Sequence, residues 1–163
     1  MKSLIFITIL TCVLSSMSPE AATTRQDVFK FDQATRIGAT AVRNKNYDKA
    51  FKHLEEASKL GDKVSQYTLA LLYMEGLGVE QDYGKAYLWL NVASEAKEKK
   101  WRNARDQIKN AMSKEQRAAF QPLVDEYIEK YGAFTQGVIC FKQTVEASKR
   151  KVMKCSKEIK SGR

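Results

Sequence analysis

Histidine and cysteine are scarce in this sequence, and their scarcity argues against a zinc site or a similar site built from these ligands. The 163 residues include one histidine, His53, and three cysteines. A zinc site needs three or four such ligands at short, defined spacings. Because His53 lies far from Cys140 and Cys155 in the sequence, we predict no metal site and no cofactor.

The sequence also lacks the short motifs that commonly carry catalytic residues. No serine lies in a nucleophile elbow, and Gly76-Leu77-Gly78 lacks the third glycine of a dinucleotide-binding loop. Glu75, Glu80 and Asp82 cluster near these glycines, but a paired-carboxylate hydrolase needs two acids held across a cleft. We interpret them as solvated turn residues and predict that the protein has no catalytic residues.

Long apolar runs are absent except at the N-terminus. The basic start Met1-Lys2-Ser3 precedes an uncharged run, residues 4–14, and a small polar stretch, residues 15–22. The run is too short to span a bilayer and is typical of a secretory signal. We expect residues 1–22 to be a signal peptide, with an uncleaved anchor as the alternative. The protein would then be periplasmic or secreted, and not an integral membrane protein after cleavage.

Positive charge is unevenly distributed. The formal net charge is +9, and residues 132–163 contain eight basic and two acidic residues, which gives +6 in that segment alone. The rest of the chain is nearly balanced. We therefore divide the chain after the signal peptide into a body, residues 23–131, and a basic C-terminal tail, residues 132–163.

Part of the body repeats itself. When the chain is shifted by 36 residues, residues 46–54 lie over residues 82–90, and tyrosine, lysine, alanine and leucine match. Self-similarity at this period is typical of stacked helical repeats, in which each unit buries its apolar face against its neighbours. The body should therefore consist of paired helices.

Apolar residues at spacings of three and four define these helices. A helix over residues 25–44 begins the body, and a last helix begins at Ser113, which forms a capping box with Gln116. Pro122 should kink or split that last helix. In the second repeated segment the predicted buried stripe is Tyr83, Ala86, Leu90 and Ala93, flanked by Tyr87 and Trp89.

Residues 67–93 carry a more specific pattern. A helix ending at Tyr73 is followed by Gly76-Leu77-Gly78-Val79, the helix cap Asp82, a Lys85-Ala86 pair and a tryptophan before an alanine. This stretch resembles the Sel-one-like repeat, a relative of the tetratricopeptide repeat. The resemblance extends over about residues 34–131, although the first unit lacks the Gly-x-Gly turn. It implies structural roles for Tyr73, Gly76, Gly78, Asp82, Ala86, Trp89 and Ala93.

The resemblance also implies a fold and a function. The fold is all-α, with antiparallel helix pairs stacked as a short right-handed α-solenoid. The function is that of a non-enzymatic module that binds a protein or peptide partner. Tyr87 and Trp89 are candidate binding residues, although core packing is the more common role for such aromatics. The alternatives are an envelope hydrolase, or its catalytic accessory, and a structural envelope protein.

The tail allows two structures. A helix would place Cys140 and Cys155 roughly 22 Å apart, too far for a disulfide. A hairpin turning at Ala147-Ser148 places them opposite each other and pairs Phe141 with Lys154. The strand-favouring residues Val138, Ile139, Thr144, Val145 and Val152 favour the hairpin, although its turn lacks glycine. We favour a hairpin closed by a Cys140–Cys155 disulfide, with a helix and two free thiols as the alternative.

The same hairpin places three cations at its tip. We expect Lys149, Arg150 and Lys151 to meet an anionic envelope component, such as an acidic protein or lipopolysaccharide. Export argues against nucleic acid as the partner. A solvated tail that only aids solubility is the alternative.

Overall fold

The structure is a computed structural model that describes residues 24–158. The predicted signal peptide, residues 1–22, lies outside the described residues. Six main helices form the body: α1 (Arg25–Arg43), α2 (Tyr47–Lys59), α3 (Lys63–Glu75), α4 (Tyr83–Ala93), α5 (Lys99–Ala111) and α6 (Lys114–Tyr131). A 3-10 turn, Ser94–Ala96, follows α4. A short helix, α7 (Ala133–Gln136), then leads into strands β1 (Val138–Val145) and β2 (Arg150–Lys157).

Side-chain caps fix where the helices begin. Asn46, Asp62 and Asp82 each accept a hydrogen bond from the backbone N–H three residues later, which satisfies an amide that the helix leaves unpaired. Ser113 and Gln116 form the predicted capping box at the start of α6. These caps begin a new helix after each turn, so the chain can reverse direction between helices.

The core lies between the successive helices. Small side chains of α2 and α4, Ala50, Ala86 and Ala93, are fully buried beside Leu54 and Leu90. Small residues let neighbouring helices approach closely, and the leucines fill the remaining space. The predicted all-α architecture of stacked helix pairs is confirmed.

One feature of the last helix differs from the prediction. A kink or a split is predicted at Pro122; the helix α6 runs without a break from Lys114 to Tyr131, so it is not split there. Packing on the far side of the proline explains its continuity. Val124 is buried, and the ring of Tyr127 lies 5.2 Å from that of Trp89 on α4. Tertiary contacts of this kind outweigh the loss of one amide donor.

The tail is a two-stranded antiparallel hairpin. Cys140 is paired with Cys155, Phe141 with Lys154, Gln143 with Val152 and Val145 with Arg150. A disulfide joins Cys140 and Cys155, so the hairpin and its bond are confirmed and the helical alternative is wrong. Lys149 takes the left-handed conformation that a glycine would normally supply, with φ of 55°.

No helix within residues 24–158 is long and apolar enough to cross a membrane.

Candidate functional site

A groove lies between the helices α3 and α5. Tyr67, Leu71 and Met74 line it from α3 at a spacing of three to four residues, which places them on one side of that helix. Lys100, Asn103, Ala104 and Gln107 line it from α5 in the same way. Its volume is about 550 Å³. We call it the α3–α5 groove.

Aromatic packing holds the two walls of the groove together. The rings of Tyr67 on α3 and Trp101 on α5 are stacked with their centroids 5.3 Å apart. The Lys100 ammonium group lies 5.7 Å from the centre of the Tyr67 ring, within the range of a cation–π interaction. Asn103 and Gln107 are exposed, so their amides are accessible to a bound molecule. The groove therefore combines a largely apolar wall on α3 with a largely polar wall on α5.

The groove continues into an apolar pocket of about 440 Å³ at the C-terminal end of α3. Met74, Tyr83, Ile108 and Met112 line this pocket. The predicted burial of Tyr83 is wrong, because its side chain is 53% exposed. Tyr83 is the first residue of α4, so no preceding turn covers its ring, and its hydroxyl accepts a hydrogen bond from Gln81. Periodicity places Tyr83 on the same helix face as Ala86 and Leu90, but it does not show that this first residue of the face is exposed.

A buried polar cluster supports the opposite end of α3. The Lys63 ammonium is fully buried and lies 2.6 Å from Glu95 Oε2. Lys63 Nζ and Gln66 Nε2 both donate to the carbonyl of Tyr131 at the end of α6. Burial lowers the pKa of Lys63, and the hydrogen bond that its ammonium donates to Glu95 opposes that shift. This cluster joins α3, the 3-10 turn and α6 into one frame.

Asp62 adds a second buried charge beside that cluster. Its carboxylate accepts hydrogen bonds from the backbone N–H and hydroxyl of Ser65. Burial raises the pKa of Asp62, and the bonds from Ser65 oppose the rise. Since both polar partners belong to the first turn of α3, Asp62 is a helix cap and not a candidate acid catalyst.

The base of the hairpin is seated against α1 and the corner between α2 and α3. Val138 and Cys155 form a small core with Phe31, and Lys157 Nζ donates to the carbonyl of Leu60. Gly61, with φ of 98°, makes this approach feasible, because a Cβ there would lie 2.6 Å from Gln136 Cβ. The tail is therefore docked on the body, which charge segregation alone did not indicate.

A second contact ties the hairpin to the groove. Lys142 on β1 forms an ion pair with Glu98, with 3.0 Å between Nζ and Oε2, and Glu98 lines the α3–α5 groove at the start of α5. Beyond this contact the strands extend into solvent. The predicted tip residues Lys149, Arg150 and Lys151 are all exposed.

Tyr87 and Trp89 are both buried in the body. Tyr87 is 5% exposed and Trp89 3% exposed. Tyr87 packs edge-on against Phe120, and Trp89 packs against Tyr127 and Tyr131. The closing helix α6 covers both rings, so neither side chain is available to a partner in this arrangement of the helices. The expectation of core packing for these aromatics describes them correctly.

The repeat-motif residues are buried, cap a helix or form a turn in the body. Tyr73, Ala86 and Ala93 are buried, Gly76 ends α3 in the left-handed conformation, and Asp82 caps α4. Gly78 is required for a close approach, because a Cβ there would lie 2.4 Å from the backbone of Tyr47. The Gly-x-Gly turn thus packs directly on the start of α2.

The arrangement of ionisable groups gives no indication of a reaction. Within residues 24–158, no three His, Cys, Asp or Glu side chains come together so as to hold a metal ion. His53 is half-buried, and its Nδ1 lies 3.8 Å from Glu56 Oε2. The buried charges described above contact only structural partners.

Sequence reasoning missed the residues of the α3–α5 groove. Lys100, Asn103 and Gln107 recur at spacings of three and four, which is a visible signal for one polar helix face. That signal does not distinguish a solvated face from the wall of a groove, because the distinction depends on how far apart α3 and α5 lie.

Comparison with known proteins agrees with this geometry. A family model described as the Sel1 repeat matches residues 40–62 and 63–97. The chain carries two Sel1 repeats. The second match spans α3, α4 and the 3-10 turn, so the α3–α5 groove begins on a complete Sel1 unit. A repeat fold of this kind supports a role as a protein-interaction module.

A solved structure shows the same fold. It is a protective antigen present in uropathogenic Escherichia coli strains and displays an SLR fold, with a TM-score of 0.57 and 24% sequence identity. The match covers 65% of this chain and 24% of that protein, so the chain spans about a quarter of its length. At this identity the likeness shows the fold alone. No curated protein matches the chain significantly.

Proposed function

We propose that this protein is a non-enzymatic repeat module of the bacterial cell envelope that binds a protein or peptide in the α3–α5 groove. The observation that carries the proposal is the groove itself, with Tyr67, Leu71 and Met74 on one wall and Asn103 and Gln107 on the other. An extended peptide has both apolar side chains and unpaired backbone groups, which these two walls can satisfy.

The dimensions of the groove suit a short segment. A helix of 13 residues such as α3 is roughly 20 Å long at 1.5 Å per residue. An extended chain covers that length with about six residues. We therefore expect the bound segment to be short and to place apolar side chains on Leu71 and Met74.

The disulfide supports the envelope location. Bonds such as Cys140–Cys155 persist in oxidising compartments and are rare in the cytosol. Together with the signal peptide predicted for residues 1–22, the bond favours a periplasmic or secreted protein.

Blocking the groove tests the proposal. Ala104→Arg places a long side chain on the groove wall, and Ala119→Arg adds the same charge to an exposed position of α6 away from it. A peptide selected from a displayed library should bind the Ala104→Arg variant at least tenfold more weakly than the wild type by calorimetry. It should bind Ala119→Arg like the wild type. Equal binding by both variants would show that the groove is not the site.

A second activity is favoured by the hairpin tip. Lys149, Arg150 and Lys151 are exposed, and Glu146 is the one acid in the turn. We infer that they bind an anionic envelope component. Binding to a soluble polyanion should weaken as salt rises, and replacing all three cations with alanine should flatten that dependence. An unchanged salt dependence in this variant would remove the tip from the site.

A further inference from the structure

The two faces of the hairpin differ sharply. Directly opposed residues of paired strands lie on the same face. The face that includes Cys140 and Cys155 turns toward α1, where Val138 and Cys155 are buried. The opposite face, which we call the outward face, is formed by the pairs Ile139–Ser156, Phe141–Lys154, Gln143–Val152 and Val145–Arg150.

The outward face is apolar and basic at once. Ile139, Phe141, Val145 and Val152 are each 40–49% exposed. Lys154 and Arg150 lie beside them on the same face, and its strands carry no carboxylate. Lys149 and Lys151 extend the positive charge around the tip. Half of the large exposed apolar side chains of the described residues are thus concentrated on one small sheet face.

We propose that the outward face docks on the surface of a membrane that contains anionic lipids. The phosphate headgroups would contact Arg150 and Lys154, and the side chains of Phe141 and Val152 would enter the boundary between headgroups and acyl chains. This inference rests on the anion-binding role proposed above for the tip and names its partner.

Charge complementarity and exposure together select this partner. A soluble polyanion satisfies the cations but leaves the four apolar side chains in water. An anionic lipid surface satisfies both, because its headgroups attract cations and the region below them accepts apolar groups. A basic, partly apolar surface of this kind is typical of proteins that lie on a membrane without spanning it.

Tryptophan fluorescence tests the insertion. In a chain that begins at Thr23, before the first described residue, Phe141→Trp places a reporter on the outward face. The native Trp89 and Trp101 are buried and contribute a constant background. Phosphatidylcholine vesicles that contain phosphatidylglycerol should shift the Phe141→Trp emission to shorter wavelength. The matched variant Phe134→Trp, at a residue 89% exposed on α7, should show no shift.

Charge and oligomeric state complete the test. Arg150→Gln and Lys154→Gln should each weaken binding to these vesicles about fivefold, since a cation near an anionic membrane contributes roughly that factor. Phe141→Ser should weaken vesicle binding and leave binding to a soluble polyanion unchanged. Equal vesicle binding by Phe141→Ser and the wild type would overturn the membrane inference but leave anion binding by the tip intact.

If the wild-type protein binds no soluble polyanion, the anion-binding role of the tip and the membrane inference that rests on it are both overturned. Light scattering gives the oligomeric state. If the wild type is a dimer and Phe141→Ser is a monomer, the outward face binds a second copy of the chain, and the membrane inference is overturned.

Discussion

The helical body and the hairpin are stabilised in different ways. In the body, Leu69, Leu90 and Ala93 are completely buried, α1 to α4 each pack on the following helix, and α6 packs on α4. In the hairpin, Val138 and Cys155 are the buried residues, and a disulfide joins the strands. An isolated two-stranded hairpin is marginal in water. The body is therefore held by burial, and the hairpin depends on a covalent bond.

The two regions also differ in what they present to solvent. The body surface mixes both charges, with ion pairs such as Glu55–Lys59 and Glu126–Lys130 along its helices. The hairpin carries mostly unpaired cations beside apolar side chains. Surface ion pairs contribute little to stability, so this difference bears mainly on what each region can bind. The body presents a groove, and the hairpin presents a face that is both basic and apolar.

The largest effect is expected from Trp89→Ala in the body. The Trp89 ring joins α4 to Tyr127 and Tyr131 of α6, so its removal leaves a cavity between two helices. We expect the free energy of unfolding to fall by about 4 kcal/mol, measured by urea denaturation. Tyr83→Ala, at an exposed aromatic of the same helix, should cost less than about 1 kcal/mol. Comparable losses would contradict the assignment of Trp89 to the core.

Much of the body could be predicted because its signals are local. Asp62 and Asp82 cap helices through contacts within one turn, and Ala86 and Leu90 follow a helical period. The exposure of Tyr83 and the continuity of α6 through Pro122 could not be predicted in this way. Both depend on which helix lies across from the residue, and a helical period carries no information about that neighbour.

Removal of the disulfide should have the next largest effect and should be confined to the hairpin. The bond closes a loop of sequence separation 15, for which we expect about 3 kcal/mol of stabilisation. In the Cys140→Ser/Cys155→Ser variant, amide hydrogen exchange measured by mass spectrometry should accelerate in β1 and β2. The exchange of α3, α4 and α6 should change little. If exchange accelerated equally in the body, the hairpin would belong to the same cooperative unit.

In the hairpin, the strand register could be predicted from the sequence and the docking on the body could not. Its register was predictable because Cys140 and Cys155 can bond in one alignment of the strands only, and that alignment fixes every other pair. Its docking on Phe31 and Leu60 was not predictable. Those contacts are distant in sequence, and neither residue has a spacing or a charge that identifies the tail as its neighbour.

Glu95→Gln should have an intermediate effect in the body. It leaves the buried Lys63 ammonium without its charged partner. Removing one member of a buried pair is strongly destabilising, but Glu95 is partly exposed, so we expect a loss of about 2 kcal/mol in urea denaturation. The double variant Lys63→Met/Glu95→Gln should recover part of it, since no unpaired charge is left. No recovery would mean that the charge on Lys63 is not the cause.

The pH dependence of stability gives a separate check on Lys63. Burial lowers its pKa in the folded protein, so between that pKa and the unfolded value of 10.5 the unfolded chain binds the proton more tightly. Stability conferred through this group should therefore rise with pH across that window. Lys63→Met lacks this group, so the free energy of unfolding of the wild type relative to the variant should increase with pH across the window when urea denaturation is measured at several pH values.

The smallest effect concerns the hairpin turn and should be a gain. Lys149 adopts a φ of 55°, which costs a residue with a Cβ about 1 kcal/mol. Lys149→Gly relieves that cost but adds freedom to the unfolded chain, so we expect a net stabilisation of about 0.5 kcal/mol.

Lys151→Gly is the matched control for this last variant, because it removes the same charge from an extended strand position. It should destabilise the hairpin by about 0.5 kcal/mol. Hydrogen exchange in β1 measures both effects. Slower exchange in Lys149→Gly together with weaker polyanion binding would mean that the native turn retains a strained lysine for its charge. Slower exchange with unchanged polyanion binding would mean that Lys149 contributes nothing to the anion site, which would then depend on Arg150 and Lys151.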